Sequence, residues 1–206
     1  MQKCWNWFNA TDQQRDSGEP SLIAGITRQI MRDHTIDPAR VYVAGLSAGG
    51  AAASIMGEAY PDIYAAIGVH SGLACGAARD MQSAFAVMQT GGSGTVRFDK
   101  RRVVPTIVFH GERDTTVNLR NGDAVVAQAV QGVSLRTQVE SGQIAGGHAY
   151  TRTRHIDAGG KTLVEKWVVQ GAGHAWFGGS PAGSYTDPRG PDATEEMLRF
   201  FREHTL

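Results

Sequence analysis

Ser47 lies in Gly45-Leu46-Ser47-Ala48-Gly49, directly after the apolar run Val41-Tyr42-Val43 and ahead of an alanine-rich stretch. A serine hydroxyl that attacks a carbonyl must stand clear of the backbone at a strand end, and flanking glycines let the chain turn sharply and the next helix pack closely. The five residues alone are a weak signal; the strand, turn and helix around them make the pattern a nucleophile elbow. At neutral pH such a hydroxyl needs a histidine to take its proton and a carboxylate to fix that imidazole's tautomer. Asp114, in His110-Gly111-Glu112-Arg113-Asp114, and His174, in Gly171-Ala172-Gly173-His174-Ala175-Trp176, follow apolar runs that end at Phe109 and Val169. They stand in the order nucleophile, acid, base, at the strand ends where parallel α/β sheets collect reactive groups. A loop aspartate or histidine is more often a turn, cap or packing residue, so the conjunction carries the assignment. Glu112 is the nearest rival acid. His148, in a glycine-rich loop, and His155, inside an expected strand, are weaker bases; His34, His70, His110 and His204 read as capping, core or surface residues. Trp176 and Phe177, beside the base, are placed to wall a substrate pocket, as are Trp5 and Trp7, although aromatic residues more often fill a core.

These side chains need a sheet to hold them. After a polar, turn-like stretch from Asp12 to Pro20, Leu22, Ile23, Ile26 and Ile30 recur at helical spacing up to about His34. Asp37-Pro38 breaks that helix, Val41 to Ala44 is the strand ahead of Ser47, and Gly49 to Tyr60 is a helix of small residues able to pack tightly. Ala65–Val69 and Val103–Phe109 read as further buried strands, with Pro105 near the start of the second. A helical pattern returns from Gly122 to Gln131. Thr151–Ile156 and Leu163–Val169, separated by Asp157-Ala158-Gly159-Gly160-Lys161, predict a hairpin. The last helix runs from about Asp192 to His204, with Asp192 and Glu195 spaced as a capping box and Met197, Leu198 and Phe201 as its inward stripe. Strands alternating with helices predict a mostly parallel α/β sheet.

A chain of 206 residues fits one domain spanning 1–206 and is ample for a core. With 41% hydrophobic and 19% charged residues and zero formal net charge, it has no field to recruit nucleic acid or an anionic membrane. Lys100-Arg101-Arg102 reads as a solvated turn. The uncharged stretch Val41–Gly57 falls just short of a membrane span. Met1 to Phe8 lack the apolar core and cleavage site of a signal peptide, so export is unsupported and localisation stays open. Cys4 and Cys75 are too few for a disulfide framework, and Cys and His are not clustered as a metal site would want. There is no fixed-period repeat. No metal or organic cofactor is expected.

Cys4-Trp5-Asn6-Trp7-Phe8, Val41 through Gly50, His110-Gly111 through Asp114, and Gly171 through Trp176 together resemble the polyhydroxybutyrate depolymerase family of esterases, over nearly the whole chain. That family is similar to feruloyl and acetyl xylan esterases. The resemblance implies an α/β-hydrolase fold and ester cleavage through a triad on Ser47, Asp114 and His174, with the Ala48 backbone N–H in the oxyanion hole. Its members carry a longer segment ahead of the Cys-Trp-Asn-Trp stretch, holding the first strands of the sheet and a His-Gly loop that supplies a second oxyanion amide. The only His-Gly pair here, His110-Gly111, lies on a later strand. Loss of one such donor costs on the order of 3 kcal/mol of transition-state stabilisation. Without those strands the Val41-Tyr42-Val43 edge is expected to be unpaired and the chain to self-associate. In the same resemblance Cys4 pairs with a cysteine of that segment, so a free Cys4 thiol is expected.

The expected activity is carboxylic-ester hydrolysis through an acyl-enzyme, with no cofactor. Fitting substrates are a 3-hydroxybutyrate oligomer or polymer, a feruloyl or acetyl ester on a plant polysaccharide, or a small synthetic ester; thioesters and lactones suit the same triad. The alternative is a non-catalytic, self-associating module that keeps the triad residues without a complete oxyanion hole.

Overall fold

A computed structural model of the chain describes residues 4–92 and 102–206. Six strands form the main sheet: β1 (Tyr42–Leu46), β2 (Ala66–His70), β3 (Thr106–Gly111), β4 (Arg136–Gln143), β5 (Ala149–Ile156) and β6 (Thr162–Val169). Their spatial order is β1-β2-β3-β6-β5-β4. The first four in that order run parallel, while β5 is antiparallel to both β6 and β4. The helices are α1 (Gly18–Asp33), α2 (Ala48–Ala59), α3 (Met81–Thr90), α4 (Arg120–Ala129) and α5 (Ala193–Arg202), and a short parallel pair joins β7 (Trp176–Phe177) to β8 (Thr186–Asp187). Among the described residues no helix is long and apolar enough to cross a membrane.

Every residue of β2 and β3 is buried, which is why both read as unbroken apolar runs rather than alternating ones. On one face of the sheet Met56 of α2, Tyr60 just past its end, and Val125 and Ala129 of α4 pack with Ile67, Val69, Val108 and Val164. On the other, Met197, Phe200 and Phe201 of α5 pack with Ile107, Phe109 and Trp167. Small residues set the α2 spacing: a Cβ on Gly57 would come within 2.8 Å of the Ile67 side chain.

Several expectations shift. Helix α1 forms, but Leu22, Ile26 and Ile30 are 63%, 64% and 47% exposed, and Ile23 and Ala24 face the core instead. In α5, Leu198 is exposed and Phe200 takes the inward place; Asp192 accepts the Thr194 and Glu195 amides, capping the helix from one side. The strand expected from Val103 starts at Thr106, after Pro105, which has no N–H to give a ladder. Arg102 is not a solvated turn residue: its guanidinium donates to the carbonyls of Pro61, Tyr64 and Ala65 at 2.8–3.3 Å. Lys100 and Arg101 lie outside the described residues. Neither α3 nor β4 was expected. The signal for α3 was the Asp80–Ser83 capping box, and β4 is largely exposed, with Val139 its one large apolar side chain.

His70, His110 and His204 have no exposed surface. Burial disfavours the imidazolium and lowers all three pKa values, His204 from 6.5 to about 4. Below pH 6.5 the unfolded chain therefore takes up protons that the folded chain refuses, so this stability is complete above that pH and lost as pH falls towards 4. Because the His204 ring rests on Phe200 at 4.5 Å, His204→Phe keeps the packing. We expect its melting temperature to fall less steeply between pH 6.5 and 4 than the wild type's. Identical pH profiles would contradict this account.

Candidate active site

Ser47 follows β1 with φ 59° and ψ −120°, a left-handed conformation that a residue with a Cβ adopts only when its surroundings enforce it. Two backbone bonds do so: the Ser47 N–H donates to the His70 carbonyl at 2.8 Å, and the Ser47 carbonyl accepts the Ala51 N–H at 2.9 Å. The glycines clear the space. A Cβ on Gly45 would overlap the Gly49 backbone, and one on Gly50 would come within 3.0 Å of the Gly45 and His70 carbonyl oxygens. Gly49 itself has open space where a Cβ would stand. Gly45→Ala is therefore expected to cost about 1–3 kcal/mol or more in thermal or urea unfolding, as overpacking does, and Gly49→Ala much less. Equal losses would show that the steric reading of the elbow is wrong.

Asp114 lies three residues past β3, its side chain fully buried. One carboxylate oxygen accepts the Thr116 and Val117 amides at 2.9 and 2.8 Å, and the other stands 2.7 Å from His174 Nδ1. Burial alone would raise its pKa; the His174 hydrogen bond and the Val117 amide outweigh that and hold it below the ordinary carboxylate value. An ionised Asp114 can only accept, so His174 carries its proton on Nδ1 and leaves Nε2 free to accept one. The rival acid Glu112 turns elsewhere, accepting the Gly171 N–H at 3.0 Å. His148 is bound to Asp187 at 2.8 Å, and His155 sits on β5 facing Thr137.

Ser47, Asp114 and His174 thus stand beyond the carboxyl ends of β1, β3 and β6, with β2 between the first two. Asp114 and His174 are brought together; among the described residues no hydrogen bond joins Ser47 to His174. Ser47 and Ala48 open into a cavity of about 120 Å³ shared with Trp7, Phe8, Leu73, Phe85, Met88 and Val117. Val117 links this apolar space to Asp114, whose carboxylate its N–H holds. Ala48 is the first residue of α2, where amides have no intrahelical acceptor and the helix dipole favours negative charge.

Trp7 is in the cavity wall and Trp5 is exposed. Trp176 is not among the wall residues: its ring stacks on His70 at 5.1 Å and its Nε1–H donates to Thr194. Leu73, Phe85 and Met88 went unnoticed in the sequence because two of them ride on the unexpected α3. No disulfide links Cys4, which is exposed, to the buried Cys75. Among the described residues no group of three or more His, Cys, Asp or Glu is placed to hold a metal ion.

Residues 1–147 match the protein family described as Esterase PHB depolymerase. The chain is 32% identical over 183 residues to poly(3-hydroxyalkanoate) depolymerase C of Paucimonas lemoignei, a match covering 84% of this chain and 44% of that protein. It is 30% identical over 209 residues to feruloyl esterase B of Thermothelomyces thermophilus, covering 86% of this chain and 69% of that one. The chain thus spans less than half the length of the depolymerase. The solved acetyl xylan esterase from Aspergillus awamori aligns with 97% of this chain and 73% of its own at a TM-score of 0.68 and 17% identity. That likeness is one of fold, and the fold is the α/β-hydrolase fold.

Proposed function

Because the chain belongs to the polyhydroxybutyrate depolymerase family of esterases, we propose that it hydrolyses carboxylic esters through an acyl-enzyme on Ser47. Ser47 Oγ attacks the ester carbonyl while His174 Nε2 takes its proton; the Ala48 N–H faces the developing oxyanion. The tetrahedral intermediate expels the alcohol, protonated by His174, and leaves Ser47 acylated. Water, deprotonated by the same Nε2, then releases the acid and restores the serine. Asp114 keeps the proton on Nδ1 and stabilises the imidazolium that forms twice per turnover.

The observation that carries this reading is the 2.7 Å bond from His174 to a buried carboxylate already held by two amides. So specific an arrangement fixes one tautomer, which is what a general base requires. The cavity supports a small acyl group. At about 120 Å³ it is smaller than the ~150 Å³ that accommodates benzene in an engineered apolar cavity. Acetyl, butyryl or 3-hydroxybutyryl groups suit it better than a feruloyl group. The test is turnover of p-nitrophenyl acetate and butyrate beside methyl ferulate. We expect a burst of nitrophenol stoichiometric with enzyme, then steady turnover, with the ferulate slowest. No release above background from any of the three would overturn the reading.

A second reading, a non-catalytic self-associating module, draws on two surfaces. Among the described residues β1 pairs only with β2, and α1 exposes Leu22, Ile26 and Ile30 one turn apart. An open strand edge and an apolar stripe both favour association. We expect light scattering at micromolar concentration to give a dimer or larger assembly, and Ile26→Glu to shift it towards monomer. A monomeric mass for the unaltered chain would contradict self-association, and ester turnover would leave no need for the non-catalytic reading.

A further inference from the structure

His70 ends β2 and has no exposed surface. Its two ends hold two different parts of the site. The backbone carbonyl accepts the Ser47 N–H at 2.8 Å, and ring Nε2 lies 3.1 Å from the N–H of Phe177, three residues past His174. A backbone N–H can only donate, so Nε2 is unprotonated and the neutral ring carries its proton on Nδ1. The ring is also gripped on its faces: Phe109 stacks at 5.6 Å and 12°, Trp176 at 5.1 Å and 24°, and Phe177 leans in at 4.5 Å.

The loop that carries the base needs such an anchor. Gly171, Gly178 and Gly179 flank it with φ of 69°, 77° and 78°, conformations that only glycine adopts freely. Between Gly173 and Phe177, Trp176 is held by the Tyr185 carbonyl, by Thr194 and through the β7–β8 pair, while the bonds that reach the carboxyl end of the main sheet are His174 to Asp114 and Phe177 to His70. We propose that His70 is a positioning residue, a neutral imidazole whose backbone pins the nucleophile elbow and whose ring pins the base loop, so that Ser47 and His174 keep one separation. A misplacement of 1 Å in such a pair costs about 100-fold in rate. Burial disfavours the imidazolium at His70, with His110 and His174 adding to the effect against the opposing pull of Asp114, and so keeps the acceptor available.

The inference rests on the hydrolase reading for its effect on rate, and the test separates the two. His70→Phe keeps a flat ring and removes the acceptor; His70→Gln returns an acceptor oxygen at similar reach. For p-nitrophenyl butyrate we expect kcat of His70→Phe to fall about 100-fold with KM within about twofold of wild type, and His70→Gln to recover most of the loss. Wild-type kcat in His70→Phe, or His70→Gln as impaired as His70→Phe, would overturn the assignment. Two NMR readouts need no turnover. In the 15N-labelled unaltered chain, scalar coupling is expected between the Phe177 amide nitrogen and His70 Nε2; its absence would overturn the assignment even if the variants fail to fold. The downfield His174 Nδ1 proton is expected in wild type and to broaden or vanish in His70→Phe; an unchanged signal would overturn it. Should wild type hydrolyse no ester while both NMR results hold, the hydrolase reading falls and the role of His70 stands.

Discussion

Ser47→Ala is expected to lower kcat on p-nitrophenyl butyrate by about 10⁶-fold, the loss seen when a serine hydrolase loses its nucleophile, with His174→Ala matching it. The two losses should not add, because nucleophile and base act as one unit and either removal leaves only binding and the oxyanion amide to promote the reaction. Asp114→Asn should be milder, about 10⁴-fold. The amide preserves the shape of the carboxylate, but an amide nitrogen beside His174 Nδ1 would donate rather than accept. The proton would then move to Nε2, the atom that must take it from Ser47. Glu112→Gln is the control: its side chain holds the Gly171 amide and should leave kcat within a few-fold. Additive losses in the Ser47→Ala/His174→Ala double variant, or an Asp114→Asn enzyme with wild-type kcat, would contradict the triad.

The second large effect concerns the fold. Glu165 in β6 has no exposed surface, and its carboxylate accepts from Arg152 at 2.8 Å, from Arg199 at 2.6 Å and from the Trp167 indole at 2.7 Å. One charge thereby ties the central parallel strands to the hairpin strand β5 and to α5. Arg152 also lies over the Trp167 ring at 5.1 Å and reaches Glu140. Arg199 is shared with Glu196 and Glu203. Replacing Glu165 with alanine takes the shared carboxylate from two part-buried guanidinium groups and the acceptor from the Trp167 indole. Breaking a buried pair from one side costs about 3–5 kcal/mol, reduced here by what Glu140 still gives Arg152 and Glu196 and Glu203 give Arg199. Glu165→Gln keeps the shape and the Trp167 bond but loses the charge, so a smaller loss is expected. Urea unfolding of both variants measures this, and an Ala variant within 1 kcal/mol of wild type, about the value of a surface pair, would show the cluster to be ornamental to stability.

What the sequence made legible follows from where the physical signal is local. The elbow could be read because Gly45, Ser47 and Gly49 lie within one turn of an apolar strand and a small-residue helix. Buried strands β2 and β3 announced themselves as continuous apolar runs. The spacing of Leu22, Ile23, Ile26 and Ile30 gives the helix without saying which side faces the core; of the four it is Ile23, beside Ala24, that packs inward. Choosing Asp114 over Glu112 as the acid rests on the elbow, chain order and strand-end position taken together, with which the family resemblance agrees. The geometric reason, the turn that aims Glu112 at Gly171, exists only in three dimensions. Trp7 meets Ser47 across a cavity that no local pattern encodes. His70 carries a usable hint, a lone polar residue at the end of an apolar strand, and Glu165 stands beside Lys166 in an otherwise largely apolar one, but the partners of both lie on distant segments.

The central claim is that Asp114 and His174 activate Ser47, and covalent labelling with a fluorophosphonate, followed by intact mass and peptide mapping, tests it most directly. We expect one adduct per chain, on Ser47, formed rapidly by the unaltered protein and suppressed in His174→Ala. No adduct, or an adduct on another side chain at a rate that ignores His174, would contradict the account.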